Sequence, residues 1–173
     1  LADKSVESTA AHADGWIPIF YSPEKSKAVW GDALAAGAKK RSPELGTLDI
    51  VAGGLVVIGD DVKKYLELAR PQLALYVGGM GARGKNFYYD VACEYGYEAE
   101  AKQIQDLYLS GKKAEAERLV PVEMLEQTNL IGPESYVKER IAAYRESGVT
   151  ILNCSFITPD APSIVSKLKE WTA

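Results

Sequence analysis

The segment Leu48-Asp49-Ile50-Val51-Ala52-Gly53-Gly54-Leu55-Val56-Val57-Ile58 constrains the fold more than any other part of the chain. A strand with one wet face alternates apolar and polar residues. A nearly continuous apolar, β-branched run predicts instead a strand covered on both faces, the habit of parallel sheets. The Gly53-Gly54 pair inside it predicts a bulge or a close approach of another backbone. Two further strands are expected. Trp16 to Tyr21 is short, aromatic and β-branched, with Pro18 marking an end or an edge because it has no N–H to give. Val149 to Phe156 is the other.

Helical segments fill the intervals. Ser5 to Ala13 has small and apolar residues at helical spacing and is stopped by Asp14-Gly15. Ser22-Pro23-Glu24 has the chemistry of a helix start, and that helix is predicted to run to about Lys40. Asp60-Asp61 opens a helix toward Val77, with Pro71 kinking or splitting it. From Phe87 to about Gln127 the chain reads as helix, punctuated by Gly96, Gly111 and Pro121. Gly132-Pro133-Glu134 opens another helix that Gly148 closes, and Pro162 to Trp171 forms the last. Strands alternating with helices imply right-handed crossovers and a parallel sheet. Three strands are few for a sheet, which commonly has about four to six. The chain is therefore expected to be part of a larger barrel or sheet, or an unusually small domain paired with something else.

Composition narrows the functional classes. A net charge of −4 gives no reason to expect a nucleic-acid partner. No window approaches about 18 consecutive apolar residues, so no transmembrane helix is expected. The two cysteines, Cys93 and Cys154, are too few for a disulfide scaffold. Together with the absence of a signal-like start, they predict a cytoplasmic protein. One histidine, His12, and two separated cysteines offer no metal-ligand spacing, so no metal site is predicted. His12 reads as a packed or surface residue, and both cysteines as packing residues.

Five pieces, in chain order, carry a resemblance: Leu1-Ala2-Asp3-Lys4-Ser5; Ala13-Asp14-Gly15-Trp16-Ile17-Pro18; Ala74 to Gly81 with Asn86-Phe87-Tyr88; Leu130-Ile131-Gly132-Pro133-Glu134; and Glu146-Ser147-Gly148-Val149-Thr150. They resemble the luciferase-like monooxygenase superfamily, in the branch of oxidoreductases that use the deazaflavin coenzyme F420. The resemblance implies an α/β fold, the C-terminal half of a (β/α)8 TIM barrel. It places residues 1–173 at about strands six to eight, with a helical insertion at about 79–130 before the last strand. The start at Leu1, without Met and within a helix, fits that placement. The expectation is that an N-terminal half is missing and that the isolated fragment is inactive.

The resemblance also suggests where a cofactor would bind. The turn Ala2-Asp3-Lys4 at a helix start matches one that contacts the cofactor's phosphate in relatives. Free N–H groups and the positive dipole end suit an anion there. Asp3 opposes that charge and Lys4 offsets it; the plain alternative is an ordinary helix cap. Ser22 and Lys25 follow the C-terminal end of a strand, the face on which barrel active sites sit. They offer a hydroxyl and a cation to cofactor or substrate, against a mere cap and a solvated lysine. Gly79, Arg83 and Lys85 belong to the glycine-rich tract Gly78 to Asn86. That tract either grips the cofactor's tail or a substrate, or is a hinge. No catalytic residue is assigned. Tyr88, Tyr89, Tyr95, Tyr97 and Tyr108 recur at helix-packing spacings, so core or subunit contact is the default reading for them.

The function implied by the resemblance is hydride transfer between coenzyme F420 and a small organic substrate, by a homodimer formed through the intact barrel. Rival readings are an FMN-dependent monooxygenase on the same barrel, a non-catalytic barrel subunit, and a small flavodoxin-like domain complete in itself.

Overall fold

The computed structural model describes residues 2–172. Thirteen α and β elements follow in order: α1 (Asp3–His12), β1 (Gly15–Trp16), α2 (Ser26–Ala38), β2 (Asp49–Ile58), α3 (Arg70–Gly79), α4 (Phe87–Glu94), α5 (Glu98–Leu109), α6 (Lys113–Arg118), α7 (Val122–Gln127), β3 (Leu130–Gly132), α8 (Glu134–Glu146), β4 (Ile151–Phe156) and α9 (Ala161–Thr172), with a short 3-10 turn at Pro43–Leu45 and a longer one at Lys63–Ala69 leading into α3. Pro71 does split its helix, standing in the first turn of α3 where its missing N–H costs nothing.

All strand pairs are parallel, and β2 lies at the centre. Its register along β4 is unbroken, from Val51 opposite Ile151 to Val56 opposite Phe156. Asp49 donates to the Asp14 carbonyl at 3.0 Å and Gly59 to the Gly132 carbonyl at 3.0 Å, whereas the Ile50 carbonyl accepts from Thr150. Alternate residues of a strand address alternate edges. Hence β1 and β3 share one edge of β2, one after the other, and β4 takes the opposite edge.

Two sequence expectations are corrected here. The first strand ends at Trp16 instead of Tyr21, because Pro18 cannot continue the ladder and the chain leaves the sheet. The sheet also has four strands, not three: the expected helix start at Gly132 is preceded by the short strand β3, whose residues are fully buried. Where β1 has left and β3 has not yet joined, the Leu55 N–H faces no strand. The Asn129 side-chain oxygen accepts it at 2.9 Å. The glycine pair marks close backbone approaches, as expected. A Cβ on Gly53 would stand 2.1 Å from the Asn153 carbonyl oxygen, and one on Gly54 would stand 2.3 Å from that of Thr128.

Helices cover the sheet with apolar faces. Val6 and Ala10 of α1, Trp30 of α2, and Leu73, Ala74 and Val77 of α3 are buried. Gly37 lets α2 press on α1, since any Cβ there would meet the Glu7 carbonyl oxygen and the Ala10 Cβ. Along β4 the side chains alternate. Leu152, Cys154 and Phe156 line a groove with α8 and α9, while Asn153 and Ser155 face the other side. Among the described residues, nothing pairs with the outer edge of β4 or of β1.

Candidate functional site

The face that Asn153 and Ser155 address is the floor of a cleft of about 400 Å³. Gly53, Gly54 and Leu55 of β2 form the rest of the floor. One wall is the segment Ile17 to Phe20, just past β1, and another is Gln72 and Leu73 of α3. Thr128 and Asn129, at the end of the helical insertion, close it. The segment Ile17 to Phe20 lies past the C-terminal end of β1, while Gly53 to Leu55 and Asn153 to Ser155 lie within β2 and β4, on one face of the sheet. None of the lining residues is charged. Asn153, Ser155 and Gln72 are exposed. Their side chains make no hydrogen bond among the described residues, so amide and hydroxyl donors and acceptors stand free beside the apolar side chains of Ile17, Phe20, Leu55 and Leu73.

The wall at Phe20 is strained. Its φ is 54°, the only positive value at a non-glycine residue among those described. A bulky side chain adopts that region only when its surroundings over-determine it. They do so through tyrosines. The Tyr95 hydroxyl donates to the Phe20 carbonyl at 3.0 Å and accepts from the Ser22 N–H at 3.2 Å. The Tyr144 hydroxyl reaches the Tyr21 carbonyl at 3.4 Å, and the Tyr21 hydroxyl donates to the Ser147 carbonyl at 3.0 Å. The Phe20 ring stands edge-on to Tyr76 at 5.2 Å.

Behind this wall lies a polar joint. Arg140 pairs with Glu24 and donates to the Gln127 carbonyl at 2.8 Å. The Ser22 hydroxyl hydrogen-bonds to Glu24 at 3.1 Å and to the Gln127 side chain at 3.3 Å. Burial pushes the Glu24 carboxyl up, but the hydrogen bonds and charge of Arg140, with its own backbone N–H and Ser22, outweigh it and hold it below the ordinary range. On the far side of the sheet, burial pushes the Cys154 thiol up to about 11, which keeps it protonated and inert at neutral pH. Among the described residues no group of His, Cys, Asp and Glu is arranged to hold a metal ion. No helix is long and apolar enough to cross a membrane.

None of the eight site residues read from the sequence lines the cleft. Leu1, which opens the first motif, lies outside the described residues. Ala2 is the N-cap of α1 without a side-chain cap, Asp3 stands in the first turn, and Lys4 reaches Glu7 at 3.4 Å from an exposed position. Ser22 is fully buried in the polar joint, and Lys25 donates to the Tyr95 carbonyl with its ammonium 4.1 Å from the Tyr97 ring. The helix expected to start at Ser22 begins at Ser26, since the Ser22 hydroxyl is drawn to Glu24 and Gln127 and leaves the helical N–H groups uncapped. Gly79 makes room for the Tyr108 ring, which a Cβ would meet at 2.4 Å. Arg83 pairs with Asp106 at 2.6 Å, and Lys85 is exposed. The tract is stiffened further by Asn86, which caps α4 and donates to the Tyr76 and Val77 carbonyls. Sequence reasoning missed Asn153, Ser155 and Gln72. The alternation Leu152-Asn153-Cys154-Ser155-Phe156 is the signal that could have found the first two.

The luciferase-like monooxygenase family model matches residues 1–150. The chain belongs to the luciferase-like monooxygenase family. A family relative from Mycobacterium tuberculosis, named as a coenzyme F420-dependent oxidoreductase, is 36% identical over 152 residues. That match covers 86% of this chain and 43% of the relative, so the chain spans less than half of the relative's length. Among solved structures, the coenzyme F420-dependent tetrahydromethanopterin reductase of Methanopyrus kandleri superposes with a TM-score of 0.64 at 23% identity, over 90% of this chain and 42% of that one. An F420-dependent secondary alcohol dehydrogenase, in complex with an F420-acetone adduct, gives 0.61 at 15% identity, over 98% and 45%. These two likenesses establish a shared α/β fold.

Proposed function

We propose that this chain is the C-terminal part of a (β/α)8 barrel oxidoreductase that uses coenzyme F420 and acts on a small organic substrate. In this reading β1, β2 and β4 are the sixth, seventh and eighth barrel strands, and α4 to α7 form the insertion before the last. The observation that carries it is the cleft: uncharged, on one face of the parallel sheet and beside the C-terminal end of β1, with free amide and hydroxyl groups next to apolar side chains. The relative named as F420-dependent supports the choice of cofactor.

The lining suits a flat, neutral heterocycle with amide-like edges. Asn153, Ser155 and Gln72 would hold those edges, and Ile17, Phe20 and Leu55 would exclude water from the ring's face. When bound, the deazaflavin supplies a two-electron hydride carrier. The N–H groups of α1's first turn, at Ala2 to Lys4, are assigned to its phosphate. Ser22 and Lys25 act behind the wall. Lys85, without a partner among the described residues, is left for an anionic tail, with Arg83 and Gly79 shaping its loop.

The test is an equilibrium titration of the full-length protein with oxidised coenzyme F420, read by deazaflavin fluorescence, beside the same titration with FMN. Saturable binding of F420 is expected. Asn153→Ala and Ser155→Ala each remove roughly one hydrogen bond, and each is expected to weaken binding about fivefold. Absence of F420 binding, or binding of FMN alone, overturns the reading.

A further inference from the structure

We propose that Tyr95, carried on the helical insertion and outside the cleft, is a positioning residue that holds the cleft wall at Phe20 in its binding-competent shape; this deepens the reading above and rests on it. The insertion thereby does more than fill space beside the sheet. It clamps a loop that lies 73 residues away from it in sequence.

Phe20 lines the cleft at φ 54°, a conformation that strains a residue with a side chain. Left to itself the segment Ile17 to Tyr21 would relax, because Pro18 has cut it from the sheet. Buried hydroxyls prevent this, and that of Tyr95 makes two of the bonds. Tyr95 is 2% exposed, and its single oxygen serves the carbonyl before the Tyr21 amide and the N–H after the Tyr21 carbonyl. It thus fixes both peptide units that flank Tyr21. A phenol donates one proton and accepts another, so this pairing satisfies it fully. Burial pushes its pKa well up, and the donated proton stays in place at every working pH.

Tyr95 is itself aimed with care. The helix α4 ends immediately before it. The Gly96 N–H bonds to the Cys93 carbonyl at 2.8 Å and the Tyr97 N–H to the Ala92 carbonyl at 3.0 Å, with Gly96 at φ 89°. That is a glycine-closed helix end, which sets the direction of the side chains around it. From the other side, Lys25 of the same loop donates to the Tyr95 carbonyl, and Trp30 meets the Tyr95 ring edge-on at 6.2 Å. Loop and insertion therefore hold each other reciprocally. Neither Tyr95 nor Lys25 touches the cleft, so both act through the backbone they brace.

The experiment compares the full-length protein with Tyr95→Phe, which removes only the hydroxyl, and with Tyr108→Phe. The Tyr108 hydroxyl makes no hydrogen bond among the described residues, so that variant serves as the matched control. Amide hydrogen exchange is read at residues 19–22 and, separately, across α4 and α5. In Tyr95→Phe, exchange at residues 19–22 is expected to rise about tenfold, with α4 and α5 unchanged. The F420 dissociation constant is expected to rise five- to tenfold, while Tyr108→Phe leaves both readouts where they were. In a Phe20→Gly background, where the positive φ carries no strain, the same Tyr95→Phe change should move affinity less than twofold. Unchanged exchange at residues 19–22, equal loss of protection throughout α4 and α5, or the same affinity loss in both backgrounds overturns the proposal. If the unmodified protein binds no F420, the assigned function fails, while the exchange result still decides whether Tyr95 braces the wall.

Discussion

Asn129 stands where two strands succeed one another on the same edge of β2, and its replacement by alanine should be among the costliest polar substitutions in the chain. The side chain is 95% buried, with 5% relative exposure. Its oxygen accepts the Leu55 N–H at 2.9 Å, and its nitrogen donates to the Leu125 carbonyl at 2.8 Å. Alanine leaves both backbone groups without a partner. Each unmet buried group costs about 1–3 kcal/mol, which puts the sum near 3 kcal/mol. Roughly 2–4 °C of melting temperature per kcal/mol for a domain of this size gives a fall of about 6–12 °C. Asn129→Asp keeps the acceptor for Leu55 but turns an oxygen toward the Leu125 carbonyl and buries a charge, so it should be no better than alanine. Guanidinium denaturation of the full-length protein, followed by tryptophan fluorescence, measures both variants. A loss below about 0.5 kcal/mol for Asn129→Ala, the range of an ordinary surface substitution, would refute the idea that this side chain substitutes for the missing strand.

Other consequences follow from single contacts. Gly53→Ala places a Cβ 2.1 Å from the Asn153 carbonyl oxygen at a φ of 150°, so the β2–β4 ladder should fail and soluble expression should be lost. Glu24 has its carboxyl pKa lowered in the folded state by Arg140 and Ser22 against the opposing effect of burial. Its contribution is therefore fully present above 4.5 and disappears as pH falls through the lowered value. Stability curves of the unmodified protein and Glu24→Gln should accordingly be separated at neutral pH and converge in acid. The Cys154 thiol, pushed up to about 11 from 9.0, should carry about a hundredfold less thiolate than an exposed cysteine at pH 7.5. Its labelling by a maleimide should be slower by a similar factor, and labelling at the rate of a free thiol would contradict the burial seen here. Asp106→Ala removes ion pairs to Arg83 and Lys102 that are largely exposed, and should leave the melting temperature where it was.

Much of the architecture was legible in residue patterns, because those patterns arise from burial. The apolar run Leu48 to Ile58 became the central strand, and Pro71 divided its helix as its chemistry requires. The failures share a cause: they lie where tertiary contacts override local preference. Leu130-Ile131-Gly132 is three residues long with Pro133 next, too short for any periodicity, and is a strand only because β1 vacates the edge beside it. Ser22 has the local form of a helix cap, yet Glu24 and Gln127 compete for its hydroxyl. The tract Gly78 to Asn86 has the composition of a flexible loop, but Tyr108 packs against Gly78 and Gly79, and Asn86 bonds both flanking segments. The cleft itself is assembled from segments more than 100 residues apart, such as Phe20 and Asn153. Only the polar alternation along β4 announced any part of it.

A crystal structure of the full-length protein soaked with oxidised coenzyme F420 tests the account most directly. The deazaflavin ring should lie over Gly53 and Gly54 within hydrogen-bonding distance of Asn153 or Ser155, with Phe20 at its border. A ring bound elsewhere, with this cleft filled by the protein's own side chains, would contradict it.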